Sequence, residues 1–378
     1  MGMKKRFFAV TGVIFFALIL LVLAGKQKNA FFEDAITLSD YKLNTYVMVT
    51  IYDHNKEYVL EECMALCDKY ELIFSRTNPD SELYQLNNGL LPRSANGYYT
   101  VSSDLYEVIA IGKKYARLSD HAFSIAMEPL TSLWNFTDGT NVIPSSKKIE
   151  AALPLIDSNS ILLREPNQIA FSQNGIPYID GSPVNYGMGL DLGAIAKGYI
   201  ADKLKEYLLS QGVDSALIYL GGNVLCIGNK SNSDAPHFAF TNNLSSAKNH
   251  ASTPFTVGIE KPFAVNGEAA ATLKITDLSV VTSGTYQRYF EKDGYLYHHL
   301  LDSTTGYPHQ NGLISVTIVT SSSTDADALS TTCFSLGLER GLLLLESIEN
   351  ADGFFITEDR KYHYTEGFTE KYQVTFPE

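Results

Sequence analysis

The chain has 378 residues, with 29 Lys and Arg against 42 Asp and Glu, a formal charge of −13. A balance this acidic excludes a phosphate-backbone binder, whose affinity comes from Lys and Arg displacing counterions, so no nucleic-acid partner is expected. With 45% hydrophobic, 12% aromatic and 19% charged residues, the chain can bury a core, which excludes wholesale disorder and the collagen-like and coiled-coil classes.

The charge is unevenly placed. The first 28 residues hold Lys4, Lys5, Arg6, Lys26 and Lys28 and no acid, so the remainder carries five more negative charges than the whole, −18. Between Arg6 and Lys26 run 19 uncharged residues, Phe7 to Gly25. As a helix they would reach roughly 28 Å, close to a bilayer's apolar thickness. Lys4-Lys5-Arg6 ahead of them holds the N-terminus inside by the positive-inside rule, so residues 1–28 are expected to be a signal peptide or an uncleaved membrane anchor and the rest to be extracytoplasmic. Leu23-Ala24-Gly25 resembles a lipoprotein cleavage box, but Lys26 stands where the lipidated Cys is required, so lipidation is not expected.

Beyond the head, Tyr41 to Tyr52 is rich in Tyr, Val and Thr and suits a strand. Glu57 to Phe74 repeats apolar residues every three or four positions and predicts a helix with one buried stripe that includes Cys63 and Cys67. Neither these cysteines nor Cys226 and Cys333 form a disulfide framework or a metal-ligand spacing, and all four read as core residues. A loop from Ser75 to Ser81 follows. Ser102 or Ser103 caps a second helix running to Leu118, and Ser145 or Ser146 a short third one. Strands at Ser160 to Leu163 and Gln168 to Ser172 flank a Glu165-Pro166-Asn167 turn.

In the second half, Gly193 to Leu209 predicts a helix and Ser215 to Ile227 a strand interrupted by Gly221-Gly222. Residues 229–252 are rich in Ser, Asn and Ala without apolar period and read as a polar insertion within a domain of residues 35–378. Strands follow at Phe255 to Ile259, Thr272 to Ile275, Tyr295 to Leu301 and Leu313 to Val319, then helices at Asp325 to Leu336 and Arg340 to Ser347 and a hairpin-like tail. Strands and helices are mixed without regular βαβ alternation, which predicts an α+β fold.

Three segments offer chemistry. Gly187 to Gly198 is a glycine-rich turn entering a helix, where backbone N–H groups and Lys197 favour a phosphate, although the spacing is neither GxGxxG nor a P-loop. Asp327 and Thr331 are four apart on one helix face and can offer hard oxygens to Mg²⁺. Taken alone, Thr324 as a helix cap with Asp325 and Asp327 in the first turn explains the same residues. His298 and His299 lie beside Asp302, and an imidazole suits proton transfer near neutrality.

The order of these segments along the chain adds to each of them. Ser75-Arg76-Thr77 with Ser81-Glu82 and Asn87, Glu128-Pro129-Leu130 with Leu133-Trp134, Asp191 to Gly198, and Leu220-Gly221-Gly222-Asn223 closely resemble the ApbE family. So do Val257-Gly258-Ile259, Thr282-Ser283-Gly284 with Tyr286, His299 to Asp302 with Thr305-Gly306 and Pro308, and Asp327-Ala328-Leu329 with Thr331. The resemblance spans about Leu43 to Gly337. It implies an ApbE-like fold of mixed sheets with packed helices, preceded here by the N-terminal hydrophobic helix. It also implies a Mg²⁺-dependent transferase that splits FAD and attaches FMN through its phosphate to a Thr or Ser of an exported flavoprotein, releasing AMP.

By that resemblance the backbone carbonyl of Ala194 forms the metal site with Asp327 and Thr331, with Ser330 beside it. Asp191 and Lys197 hold FAD, together with Leu43, Thr77, Ala126, Met127, Glu128, Thr282, Ser283, Gly284 and the backbone of Leu301, and His299 is the catalytic base. Thr77 stands where the family often has a Tyr, Ser303 follows Asp302 in place of a Pro, and Ala194 replaces a glycine. Two other readings use the same residues: an FAD hydrolase in which water replaces the acceptor hydroxyl, and an extracytoplasmic flavin-binding protein without turnover.

Overall fold

The computed structural model describes residues 35–377 apart from 54, 138, 173–177, 180–181, 184–186, 232–251 and 265–266. The predicted N-terminal hydrophobic helix and most of the predicted 229–252 insertion lie outside the described residues. Among those described, no helix is long and apolar enough to cross a membrane.

The frame is an eight-stranded sheet whose spatial order follows the chain: β1 (Ile36–Lys42), β2 (Thr45–Ile51), β3 (Ala216–Leu220), β4 (Asn223–Ile227), β5 (Ser279–Gly284), β6 (Leu313–Thr320), β7 (Ala351–Thr357) and β8 (Tyr362–Tyr364). Each neighbouring pair is antiparallel. In such a meander alternate connections fall at the same end, so the β1–β2, β3–β4 and β5–β6 links share one edge of the molecule. Side-chain alternation divides the interior between the two faces. Val281, Ile318 and Phe355 join the large core beneath the helices, while Val280, Val319 and Phe354 pack with the hairpin Phe255–Glu260/Ala269–Ile275 on the other face. Both faces are covered, which is why β6 is buried along its whole length.

The long β2–β3 connection supplies α1 (Tyr58–Phe74), α2 (Glu82–Asn87), α3 (Ser103–Leu118), α4 (Glu128–Trp134) and α5 (Ala196–Ser210) on the helical face. The β6–β7 connection supplies α6 (Ser323–Leu336) and α7 (Leu338–Glu346). All four cysteines are buried free thiols in the core.

The architecture is α+β with packed helices, as the irregular alternation predicts, but several local expectations change. The strand expected over Tyr41 to Tyr52 is β2, Thr45–Ile51, but its first residues belong to a hairpin with β1, because Leu43 and Asn44 both take φ of 55° and turn the chain back on itself. Positive φ at both central residues is the turn that matches strand twist; Asn44 is its usual residue, whereas a Leu there is not. The helix predicted from Asp325 begins at Ser323, and its cap is Ser322, which accepts from the Asp325 N–H, while Thr324 binds Asp202 instead. The predicted Tyr295 to Leu301 strand stops at His298, where the chain leaves its two-stranded hairpin for the site. Helices α2 and α4 and strand β5 had no clear periodicity over their short lengths. The chain between β5 and β6 also forms Tyr289–Lys292, the partner of Tyr295–His298.

Helices α5 and α6 meet at Gly198. A Cβ there would fall on the Ser323 carbonyl and 2.8 Å from the Asp327 Cβ, so only glycine permits this approach. Gly198→Ala is expected to cost about 1 to 3 kcal/mol through overpacking. A urea midpoint equal to wild type would contradict so tight a crossing.

Candidate active site

A cavity of about 700 Å³ opens at the edge where the three alternate links converge. Leu43 and Asn44 reach it from the β1–β2 turn, Gly222 and Asn223 from the β3–β4 turn, and Arg288 and His299 from the β5–β6 link. The helical face contributes the Ser75–Thr77 loop, the segment from Asp191 to Lys197, and Asp327 and Thr331. Thr282, Ser283, Met127 and Leu301 complete the predicted residues on the wall. Ala126 and Ser330 are buried behind it, as is Gly284, and Glu128 acts at one remove.

The entry to α5 carries the central feature. Gly198 is the third residue of the helix, so its N–H is one of the donors that a helix start leaves without an acceptor in the helix. That N–H donates to Asp327 Oδ2 at 2.9 Å, and the carbonyl of Ala194, just before the helix, receives no backbone hydrogen bond among the described residues. Asp327 is buried, and its second oxygen has only Lys197 Nζ at 3.8 Å. Lys197 also donates to the Gly193 carbonyl at 3.2 Å, which turns it over the start of the helix. One turn along α6 from Asp327, Thr331 Oγ1 lies 3.0 Å from Ser283 Oγ. Ser283 Oγ is 2.7 Å from Ser330 Oγ, which in turn bonds the Asp327 carbonyl at 2.9 Å. Ser330 therefore braces the wall from behind.

A backbone carbonyl just before the helix, a buried carboxylate oxygen and a hydroxyl are hard donors that fit Mg²⁺. Among the described residues no three His, Cys, Asp or Glu side chains gather to hold a metal. A single carboxylate is the pattern Mg²⁺ uses when waters and substrate phosphates complete its octahedron.

Asp191 has both oxygens engaged: Oδ2 pairs with Arg76 Nε at 2.9 Å and Oδ1 accepts the Gly193 N–H at 2.9 Å. Arg76 continues to Ser132 Oγ at 3.2 Å, and Ser132 donates to Glu128. Glu128 thus holds the Arg76–Asp191 pair in place from outside the cavity. Gly189 makes room for it, since a Cβ there would meet the Glu128 carboxylate at 2.6 Å. Arg76 and Arg288 gave no signal as separate site residues, although Arg76 sits inside a family motif. Only folding brings them to the cavity.

His299 Nδ1 lies 3.3 Å from the Arg288 carbonyl, so the tautomer protonated at Nδ1 leaves Nε2 as an acceptor on the cavity side. Burial, with Arg288 second and Lys197 adding to it, pushes its pKa down to about 3, so the ring is neutral at ordinary pH. Asp302 does not orient it; its Oδ1 accepts the Thr304 N–H at 2.7 Å and its carbonyl the Gly306 N–H at 2.8 Å. Gly306, at φ 75°, also accepts from Trp134 Nε1 at 2.8 Å, so the Asp-Ser-Thr-Thr-Gly motif anchors the loop behind Leu301 to α4. His298 points the other way, buried against Phe334.

Hard oxygens, an ammonium and a neutral imidazole on one cavity are groups that phosphoryl transfer to a hydroxyl uses. The family model for the ApbE family matches residues 43–355. The chain is 34% identical to an FAD:protein FMN transferase of Klebsiella pneumoniae, covering 83% of this chain and 86% of that protein. It is also 34% identical to one of Treponema pallidum, covering 83% of this chain and 81% of that one. Among solved structures, the ApbE protein of Thermotoga maritima superposes with a TM-score of 0.74 at 27% identity, over 89% of this chain and 99% of that one. The chain belongs to the ApbE family.

Burial also depresses the pKa of His298, from 6.5 to about 4. The folded state then binds fewer protons than the unfolded chain between these values, so stability is full above pH 6.5 and lost as pH falls towards 4. This ring's share is of the order of 3 kcal/mol. Urea midpoints across that window should fall less steeply for His298→Phe; equal slopes would show that the ring titrates normally.

Proposed function

We propose that the protein is an extracytoplasmic FAD:protein FMN transferase that moves FMN from FAD to a Thr or Ser hydroxyl of an exported flavoprotein. The observation that carries this reading is the convergence on one cavity of Ala194 and Lys197, His299, and Asp327 and Thr331, which come from three separate segments of the chain. Residues 35–378 form the catalytic domain, with 229–252 a polar insertion. The basic head and the apolar run Phe7 to Gly25 export it, and hold it at the membrane if they are not cleaved.

FAD occupies the cavity with its flavin towards Leu43, Thr77, Met127 and Leu301 and its diphosphate towards Lys197. The Ala194 carbonyl, Asp327 and Thr331 would hold Mg²⁺, which when bound offsets charge on the diphosphate. The Gly198 N–H fixes the Asp327 carboxylate, so that group needs no rearrangement during the reaction. The hydroxyl oxygen of the acceptor forms a bond to the FMN phosphorus as the bond from that phosphorus to the AMP oxygen breaks. The hydroxyl proton passes to His299 Nε2 and AMP leaves. The diphosphate's negative charge opposes the depression of the ring's pKa by Arg288 and Lys197 and raises its proton affinity once FAD is bound.

The test incubates the purified chain with FAD, Mg²⁺ and an exported flavoprotein fragment bearing a candidate Thr. A flavin-fluorescent acceptor band on a denaturing gel is expected, lost with EDTA and reduced at least about 10²-fold in Asp327→Ala. His299→Ala should slow labelling about 10²- to 10⁴-fold while still binding FAD. FMN and AMP released without a labelled acceptor, across a broad set of acceptors, would replace this reading with hydrolysis.

A further inference from the structure

Among the described residues three cations line the cavity: Arg76, Lys197 and Arg288. Two are engaged, Arg76 with Asp191 at 2.9 Å and Lys197 with the Gly193 carbonyl at 3.2 Å. Arg288 is not. It is exposed, and none of the described carboxylates on the same wall, Glu71, Asp191, Glu260 or Asp327, forms an ion pair with it. Its hydrogen bond from Nη2 to the Asn44 carbonyl is 3.5 Å long, beyond the ordinary N–H···O range. Asn44 belongs to the β1–β2 turn, so the guanidinium lies across the cavity mouth between two of the links that form it, accessible and weakly held.

The same residue positions the base. Its carbonyl accepts the His299 backbone N–H at 3.1 Å and faces Nδ1 at 3.3 Å. After burial, Arg288 is the largest influence holding the ring's pKa down, and Lys197 adds to it, so both cations lie near the imidazole. A cation beside a base makes it a poorer proton acceptor, a cost that an anion placed among these groups removes. The reaction itself brings one. An acceptor hydroxyl within hydrogen-bond reach of Nε2 attacks a phosphorus roughly 3 to 3.5 Å away, so the FMN phosphate comes within the length of an Arg side chain. In-line displacement puts the departing AMP oxygen on the far side of that phosphorus from His299, so Arg288 faces the transferred group and not the leaving one. A guanidinium fork also matches two phosphate oxygens. We infer that Arg288 is a further catalytic residue, whose guanidinium leaves the Asn44 carbonyl and donates to non-bridging oxygens of the FMN phosphate during transfer. This rests on the function proposed above.

Acceptor labelling with FAD and Mg²⁺ tests it on the wild type and on Arg288→Gln, which removes the charge from an exposed position. At saturating FAD and acceptor the labelling rate should fall about 10²-fold. The KM for the acceptor and the Kd for riboflavin, which has no phosphate, should stay within about twofold of wild type. A folded variant that labels within about tenfold of wild type overturns the assignment. So does a rise in the acceptor KM alone, which would give Arg288 to the acceptor, or a parallel loss of riboflavin affinity, which marks a structural role. Should the variant not fold, a crystal of the wild type with FAD decides. A guanidinium nitrogen within about 3.2 Å of an FMN phosphate oxygen supports the assignment, and a guanidinium that stays on Asn44 overturns it. A wild type that neither binds FAD nor labels any acceptor sinks the proposed function itself.

Discussion

One hydrogen bond joins the two helices that wall the cavity: the Gly198 N–H, left without an acceptor in its own helix, goes to the Asp327 carboxylate. A helix start always leaves N–H groups to be satisfied by something outside the helix. Here a carboxylate from a second helix takes one of them. The bond fixes the carboxylate's direction on a cavity also lined by Ala194, whose carbonyl receives no backbone hydrogen bond among the described residues. It is possible only because α5 and α6 touch at a residue without a side chain.

The sheet provides the matching constraint. A strictly sequential antiparallel order brings every second link to one edge, so the β1–β2, β3–β4 and β5–β6 connections deliver Leu43, Asn223 and His299 together without any crossover. The helices close the cavity from one face, and the hairpin at Phe255–Ile275 covers the other, which keeps the central strands dry and the floor rigid. The strained turn residue Leu43 sits at the mouth, where an unusual backbone is found most often.

Desolvation does different work at the two adjacent histidines. His298 is a packing group against Phe334, neutral because it is buried. His299 lines the cavity with its Nδ1 beside the Arg288 carbonyl, and is kept neutral by desolvation with two cations nearby. The overall acidity of the chain has no part in this; local positive charge at Arg76, Lys197 and Arg288 sets the field at the site.

The sequence by itself determined the mixed α+β class, the amphipathic helices α1 and α3, the buried cysteines and the candidate metal and base residues. Period and motif are local, and Asp327 and Thr331 share a face whatever surrounds them. It did not reveal the turn at Leu43 and Asn44 that pairs β2 with β1, because a Leu in a left-handed turn follows no preference. Short α2, α4 and β5 hold too few residues for a period to register. Tertiary structure alone decided that Arg76 braces Asp191, that Asp302 serves its own loop and not His299, and that Arg288 reaches the cavity mouth at Asn44. Each depends on which groups the fold brings to a side chain, and sequence spacing carries no information about partners such as Arg76 and Asp191, more than a hundred residues apart.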